Sequence, residues 1–143
     1  MNRLIKFTCL VLTLSIILAL PVAAAVAEDA PYSSRYFGSH STYLVNVSTS
    51  SFQVWFDVTA VSTMTQLGVD SIDIERSSDG VNWSVVKTYT RSSYSNLIGS
   101  NTADHCSYVT YSNKQSGYQY RAYVEFYAKN SSGSAKSGAY AYF

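Results

Sequence analysis

A two-residue alternation of apolar and polar side chains restricts the fold of this chain more than any other feature. Residues 52–60 direct Phe52, Val54, Phe56, Val58 and Ala60 to one side of an extended chain, and Gln53, Trp55, Asp57 and Thr59 to the other. Residues 118–129 repeat the pattern, with Tyr118, Tyr120, Ala122, Val124, Phe126 and Ala128 on the inward side. Because successive side chains of a strand point to opposite faces, this pattern predicts half-buried strands.

Shorter segments extend the same pattern along the chain. In Ile72–Arg76 both isoleucines face inward, and Ser77–Gly80 reads as a hairpin turn because Asp-Gly tolerates positive φ. A return strand is expected at Trp83–Tyr89, and Asn130–Gly133 reads as a second turn before a last strand that ends at Phe143. Weaker strands are expected near Tyr43–Val47 and Ser107–Tyr111, and a long loop from Thr90 to Cys106, where no period is visible.

These segments predict an all-β fold with about seven short strands, because helical periodicity is nearly absent. Half-buried strands separated by Gly, Ser and Asn turns are typical of an antiparallel β-sandwich. We expect a single domain over residues 28–143, a length sufficient for one hydrophobic core. The predicted core is carried by Phe52, Val54, Phe56, Ile72, Ile74, Tyr120, Val124 and Phe126.

Residues 1–27 have the organisation of a signal peptide. A basic start containing Arg3 and Lys6 precedes an uncharged apolar run over residues 7–20, and Ala25 and Ala27 supply the small-x-small pattern of a cleavage site. The run is shorter than the ~20 residues of a membrane span. We therefore expect cleavage after Ala27 and a secreted, extracellular chain without a membrane span after cleavage. A cut within residues 23–25 and an uncleaved anchor helix are the alternatives.

The net charge and the cysteine content exclude further classes of function and one kind of covalent link. Without the basic residues of the leader, residues 28–143 carry eight Lys and Arg against nine Asp and Glu, which argues against a nucleic-acid-binding protein. Cys106 is the single cysteine outside the leader. An intramolecular disulfide is then impossible, so we expect a free thiol at Cys106.

Two hairpins resemble those of known β-sandwich modules. Residues 72–83, Ile-Asp-Ile-Glu-Arg-Ser-Ser-Asp-Gly-Val-Asn-Trp, resemble the hairpin of fibronectin type III-like and discoidin-like carbohydrate-binding domains. Residues 118–133 are similar to the last hairpin of fibronectin type III-like modules. The resemblance implies a fibronectin type III-like or Ig-like sandwich.

Residues 40–135 as a whole resemble a family of small exported proteins of Gram-positive Firmicutes, a family of domains of unknown function. The resemblance is carried by residues 56–60, 63–64, 67–68, 72–83, 99–103 and 127–133. It implies an exported bacterial protein, and it brings no activity with it.

No motif in the chain predicts catalysis, a metal site or a cofactor. His105 and Cys106 are adjacent, so an extended chain points them to opposite sides, which suits a Cys-His nucleophile poorly. Asp70, Asp73 and Glu75 allow a calcium site, but no calcium-binding loop surrounds them, and a solvated strand face is the alternative. Residues 77–83 come close to the Asp-box of sialidase-type propellers, but they occur once and read as a turn.

Outward-facing aromatic residues are the remaining candidates for function. Trp55, Tyr123 and Tyr127 fall on the outward side of strong strands, and the two tyrosines share one face of the 118–129 strand. Such rings stack on sugars and anchor protein contacts, whereas the alternative is that another segment covers them. We therefore expect a non-catalytic module that contacts an unidentified protein at or outside the cell envelope, with carbohydrate binding as the alternative.

Overall fold

The computed structural model describes residues 35–143, so the predicted signal peptide, with Ala25 and Ala27, lies outside the described residues. This part of the chain is all-β, and each strand runs antiparallel to its neighbours. A short 3₁₀ turn, Ser95–Leu97, precedes the fourth strand. The strands are β1 (Phe37–Ser48), β2 (Ser51–Ser77), β3 (Ser84–Thr90), β4 (Ile98–Tyr111), β5 (Gln119–Asn130) and β6 (Gly133–Tyr142).

The long strand β2 belongs to both layers of the fold. Its first part, residues 51–60, pairs with β1 on one side and β4 on the other, whereas residues 71–77 pair with β3 and β5. β6 extends the second layer beyond β5. The continuous sheet therefore folds over into two layers, β1–β2–β4 and β3–β2–β5–β6. The predicted antiparallel sandwich is confirmed, but the two segments expected as separate strands within residues 52–76 form one strand of 27 residues.

The passage of β2 from one layer to the other depends on a close backbone contact. Gly68 has φ +154°, and a Cβ atom there would lie 2.0 Å from the carbonyl oxygen of Leu97. The pairing register with β4 shifts between Thr59 and Met64, and that with β5 shifts between Val69 and Ser71. Such irregularities bend a strand, which lets β2 change layers without ending.

The buried core follows the alternation, since all eight predicted core residues are buried. Tyr118 is the exception among the residues predicted to face inward. Its side chain is 39% exposed, because β5 begins only at Gln119 and the ring lies against the guanidinium of Arg76, 4.6 Å away. An aromatic ring at a strand end can thus satisfy the pattern and still lie outside the core.

The long loop expected from Thr90 to Cys106 is wrong, because β4 already begins at Ile98. Its first residues pair with the middle of β2, where Leu67 opposes Gly99 and Gly68 opposes Ile98. No side chain from Ile98 to Cys106 is fully buried. Backbone pairing rather than burial of apolar side chains forms this part of the strand, so the side chains show no apolar period.

The predicted turns are confirmed. Gly80 has φ +74°, and Gly133 closes the β5–β6 hairpin opposite Asn130. In the first turn the Asp79 carboxylate accepts backbone N–H groups of Asn82 and Val81, at 2.8 and 2.9 Å. These bonds, that from Asn82 foremost, hold the pKa of Asp79 well below its usual range. The Asp-box-like residues thus form a turn held by its own side chains.

The two open edges of the sandwich, where strands of the two layers approach each other, differ in how closely they are packed. Where β1 approaches β6, the His40 ring stacks on Phe126 with 4.4 Å between centroids, and its Nε2 lies 2.8 Å from the Ser137 hydroxyl. Where β3 approaches β4, the Tyr89 hydroxyl donates to the Thr110 carbonyl at 2.8 Å, and a cavity remains beside this bridge. The cavity side carries the candidate site.

Candidate functional site

Trp55 lies at the centre of three aromatic side chains on the outer face of the β1–β2–β4 layer. It opposes Tyr43 on β1 and Tyr108 on β4. The Tyr43 and Trp55 rings lie within 4° of parallel, with centroids 6.4 Å apart, and Trp55 and Tyr108 are 4.5 Å apart at 30°. We call these three residues the aromatic row.

The two outer rings of the aromatic row are exposed, and the half-buried central ring is fixed. Tyr43 and Tyr108 are 49% and 42% exposed. The indole Nε1–H of Trp55 donates to the Gln53 carboxamide oxygen at 2.9 Å, which sets the orientation of the ring. A binding surface whose side chains are already oriented loses less conformational entropy when a ligand arrives.

Mainly polar side chains, with the aliphatic Val45 among them, flank the aromatic row in the neighbouring cross-strand positions. On one side lie Val45, Gln53 and Thr110, and on the other Ser41, Asp57 and Cys106. The expected free thiol, Cys106, is exposed on this same face and forms no disulfide within residues 35–143. Most of the groups around the aromatic row can therefore exchange hydrogen bonds with a polar ligand.

A cavity of about 470 Å³ adjoins the aromatic row along the edge of β4. Tyr108 lines both, and the cavity walls also include Tyr89, Tyr94, Asn96 and Lys87. The Asn96 side-chain amide donates to the Tyr108 carbonyl at 2.8 Å, so this group and the Tyr89 hydroxyl occupy two carbonyls of the β4 edge. Burial, together with the nearby Tyr94 and Tyr111, raises the pKa of Tyr89 to about 12. Tyr89 therefore remains a neutral donor at physiological pH.

Tyr123 and Tyr127 do not join Trp55, because they lie in the other layer of the sandwich. Tyr123 packs against Tyr140 with ring centroids 4.9 Å apart, and its hydroxyl covers Gly138, where a Cβ atom would lie 2.1 Å away. Tyr127 is only 7% exposed. The Arg91 guanidinium lies 3.9 Å from the centre of its ring.

Tyr123 and Tyr127 are expected from the sequence to share one exposed face, but the structure covers Tyr127. Arg91 stays over Tyr127 because Asp70 holds its guanidinium at 2.7 Å. For Tyr127 the alternative prediction is the correct one, because another segment of the chain covers its ring. Of the three aromatic candidates, Trp55 belongs to an exposed aromatic surface of several rings in one layer, and Tyr127 offers little area to a ligand.

The acidic residues considered as a calcium site are held by different partners. Asp70 pairs with Arg91 and Lys136, Glu75 binds Arg121 at 2.6 Å, and Asp73 accepts the Thr88 hydroxyl at 2.6 Å. Among residues 35–143, no three His, Cys, Asp or Glu side chains lie close enough together to hold a metal ion. These acids organise the sheet surface.

His105 and Cys106 point to opposite sides of β4, as the sequence predicts. The His105 ring packs against Phe56 with centroids 5.7 Å apart, and its Nε2 lies 2.9 Å from the Asn96 carbonyl oxygen. Cys106 faces solvent on the other side. The imidazole therefore serves the packing under the 3₁₀ turn and does not face the thiol.

Comparison of the chain with protein-family models, curated proteins and solved structures finds no match. Within the described range, no helix has the length and apolar character needed to cross a membrane. The residues that the sequence missed are Tyr43, Tyr108, Tyr94 and Asn96. Tyr43 and Tyr108 lie in the predicted weak strands, but only the pairing of β1 and β4 with β2 aligns them with Trp55.

Proposed function

We propose that this protein is a secreted, non-catalytic β-sandwich module that binds carbohydrate through the aromatic row. The observation that carries the proposal is the alignment of Tyr43, Trp55 and Tyr108 across three neighbouring strands, with two exposed outer rings and a fixed, half-buried indole. Aromatic rings combine a large apolar face with a polar edge, which matches the apolar face and hydroxyl rim of a sugar ring. Three strands span roughly 10 Å, about the length of two linked hexoses.

The adjoining cavity extends this surface beyond Tyr108. The Tyr89 and Asn96 side-chain oxygens can accept hydrogen bonds from ligand hydroxyl groups at fixed positions, and the Lys87 ammonium can donate to them, whereas the flat aromatic row is less selective. A chain of several sugars would lie on the aromatic row and place one residue in the cavity. The ligand class that this arrangement favours is therefore an oligosaccharide or polysaccharide.

Protein contact at or outside the cell envelope is the second candidate function. It is favoured by Val45 and Val47, which are 38% and 55% exposed on β1 beside the aromatic row. Aliphatic side chains around an aromatic anchor are common at protein interfaces and contribute little to sugar binding. In this case Trp55 would be the central anchor.

The proposed class of module is fibronectin type III-like, from the family of exported Firmicutes domains that the sequence resembles. Three strands in one layer and four in the other, with β4 returning to the first layer after β3, support this class. The basic start, apolar run and Ala25-Val26-Ala27 support export.

A glycan array followed by titration against the best polysaccharide tests the proposal. We expect the double variant Tyr43→Ala/Tyr108→Ala to lose binding at least tenfold, because both outer rings of the aromatic row are removed. The matched control is Tyr140→Ala, which removes a tyrosine of similar exposure, 41%, from the outer face of the other layer. Thermal melts of all variants confirm that they are folded.

Two results separate the candidate functions. Protein contact would be favoured if the wild type bound no glycan on the array but captured an envelope protein, and if the Trp55→Ala variant no longer captured that protein. Glycan binding that is equally strong in the wild type and in the Tyr43→Ala/Tyr108→Ala variant would contradict the assignment of the site to the aromatic row.

A further inference from the structure

A second aromatic cavity lies in another part of the fold and shares no lining residue with the first. Its volume is about 430 Å³, within the range of small-ligand sites. Its walls include Trp83, Tyr118, Tyr142, Phe143, Lys114 and Asn46. Four of these are aromatic, and the walls come from the turn before β3, the segment that precedes β5 and the ends of β1 and β6.

The aromatic walls are held in place by contacts outside the cavity. The Arg121 guanidinium lies 4.3 Å from the Trp83 ring centre and is itself fixed by Glu75 at 2.6 Å. The Phe143 ring meets Phe52 of the core edge-on, with centroids 5.2 Å apart. The cavity is therefore formed before any ligand arrives, which lowers the entropic cost of binding.

The cavity carries a positive charge, and no side-chain carboxylate among residues 35–143 forms an ion pair with it. The Lys114 ammonium lies 4.8 Å from the Phe143 ring centre and donates to the Asn46 side-chain oxygen at 2.5 Å. The ion pairs within residues 35–143 involve Arg91, Arg121 and Lys136, and none includes Lys114. No residue lining the cavity has an acidic side chain. An anionic group would meet an available cation there.

We propose that this cavity binds a hexuronic acid, a sugar that carries a carboxylate, at the end of a chain or as a free glycoside. The aromatic walls stack on the sugar ring, the Asn46 amide binds a hydroxyl group, and Lys114 pairs with the carboxylate. A neutral hexose would make the same ring contacts without the ion pair. The inference does not depend on the aromatic row, because the two sites share no residue.

Nuclear magnetic resonance titration of the ¹⁵N-labelled secreted chain tests the proposal, with methyl glucuronoside and methyl glucoside as probes. We expect saturable shifts of the cavity resonances with glucuronoside and about tenfold weaker binding of glucoside, as one ion pair at a protein surface accounts for. The Lys114→Gln variant should bind both glycosides equally. Lys129→Gln, which removes an exposed lysine outside this cavity, should keep the wild-type preference.

The Tyr142→Ala variant tests the aromatic wall. Tyr142 is 58% exposed, so its removal should leave the fold intact while weakening glucuronoside binding severalfold. The matched control is Tyr43→Ala, which removes a tyrosine of similar exposure, 49%, that does not line this cavity.

Four results would overturn the proposal. The first two concern the wild type: no saturable shifts up to the solubility limit of glucuronoside, or equal binding of glucuronoside and glucoside. The third is a Lys114→Gln variant that still prefers glucuronoside as the wild type does. The fourth is inorganic phosphate that binds as tightly as glucuronoside. The last result would indicate an unselective anion site. Each is independent of whether polysaccharide binds the aromatic row.

Discussion

Replacing Gly68 by alanine is expected to destabilise the fold at the point where β2 changes layers. The added Cβ would lie 2.0 Å from the carbonyl oxygen of Leu97, a backbone atom that cannot rotate away. The φ of +154° is also one that residues with a side chain rarely adopt. Both effects oppose the native geometry, and the 3₁₀ turn that contains Leu97 would have to move.

The expected cost is about 2–6 kcal/mol, since overpacking costs ~1–3 kcal/mol and holding a non-glycine residue in a glycine conformation costs ~1–3 kcal/mol. This is a large part of the ~5–15 kcal/mol by which a domain of this size is stable. Gly117→Ala is the matched control. Gly117 also has positive φ, +84°, but no atom lies within 4 Å of a Cβ placed there. Its substitution should cost only ~1–2 kcal/mol, the conformational part alone.

Urea unfolding followed by tryptophan fluorescence measures both variants. Gly68→Ala should shift the midpoint to lower urea at least twice as far as Gly117→Ala, with the slope unchanged. If the two variants lost the same stability to within ~0.5 kcal/mol, the close approach of Leu97 to β2 would be refuted. The reasoning about the layer crossing would then be wrong.

Four further predictions concern the core, the Tyr89 hydroxyl that bridges β3 and β4, the thiol and the leader. Phe56→Ala and Phe126→Ala should each lower the free energy of unfolding by ~3–5 kcal/mol in denaturant melts, because both rings are fully buried. Gln53→Ala should lower it by only ~0.5–1 kcal/mol, through the lost hydrogen bond to Trp55. The opposite ranking would contradict the strand register. Stability should fall as pH rises from the ordinary tyrosine pKa of ~10 towards about 12, the raised pKa of Tyr89, because the unfolded chain releases the Tyr89 proton at lower pH than the folded chain does. In urea melts at pH 9 and 11, a Tyr89→Phe variant should lose part of this pH dependence. A thiol reagent should titrate one thiol per folded secreted chain, and Cys106→Ser should melt near the wild type because the side chain is exposed; a loss of several kcal/mol would mean that the thiol is packed. Mass spectrometry of culture supernatant should find a chain that begins at Glu28, and recovery of full-length protein in membranes alone would contradict cleavage after Ala27.

Local periodicity was sufficient to predict the fold class and the core from the sequence. The alternation in residues 52–60 identifies the buried face of β2, because a strand reverses its side chains at every residue whatever its partner. The Asp-Gly at positions 79–80 likewise predicts a turn from its own backbone preferences. These features depend on neighbours in the chain, so they can be read without the tertiary structure.

The candidate site depended on pairing between distant segments. Tyr43 and Tyr108 become neighbours of Trp55 only through the register of β1 and β4 against β2, and a shift of one residue would turn both rings to the other face. Tyr127 satisfies the outward pattern of β5, yet the tertiary structure covers it with Arg91, which lies in a different segment. The first residues of β4 carry no period because backbone hydrogen bonds to β2, rather than buried side chains, hold them in place. The sequence by itself therefore determined which faces are apolar, whereas the tertiary structure decided which exposed side chains meet, because register and coverage are set by contacts between residues far apart in the chain.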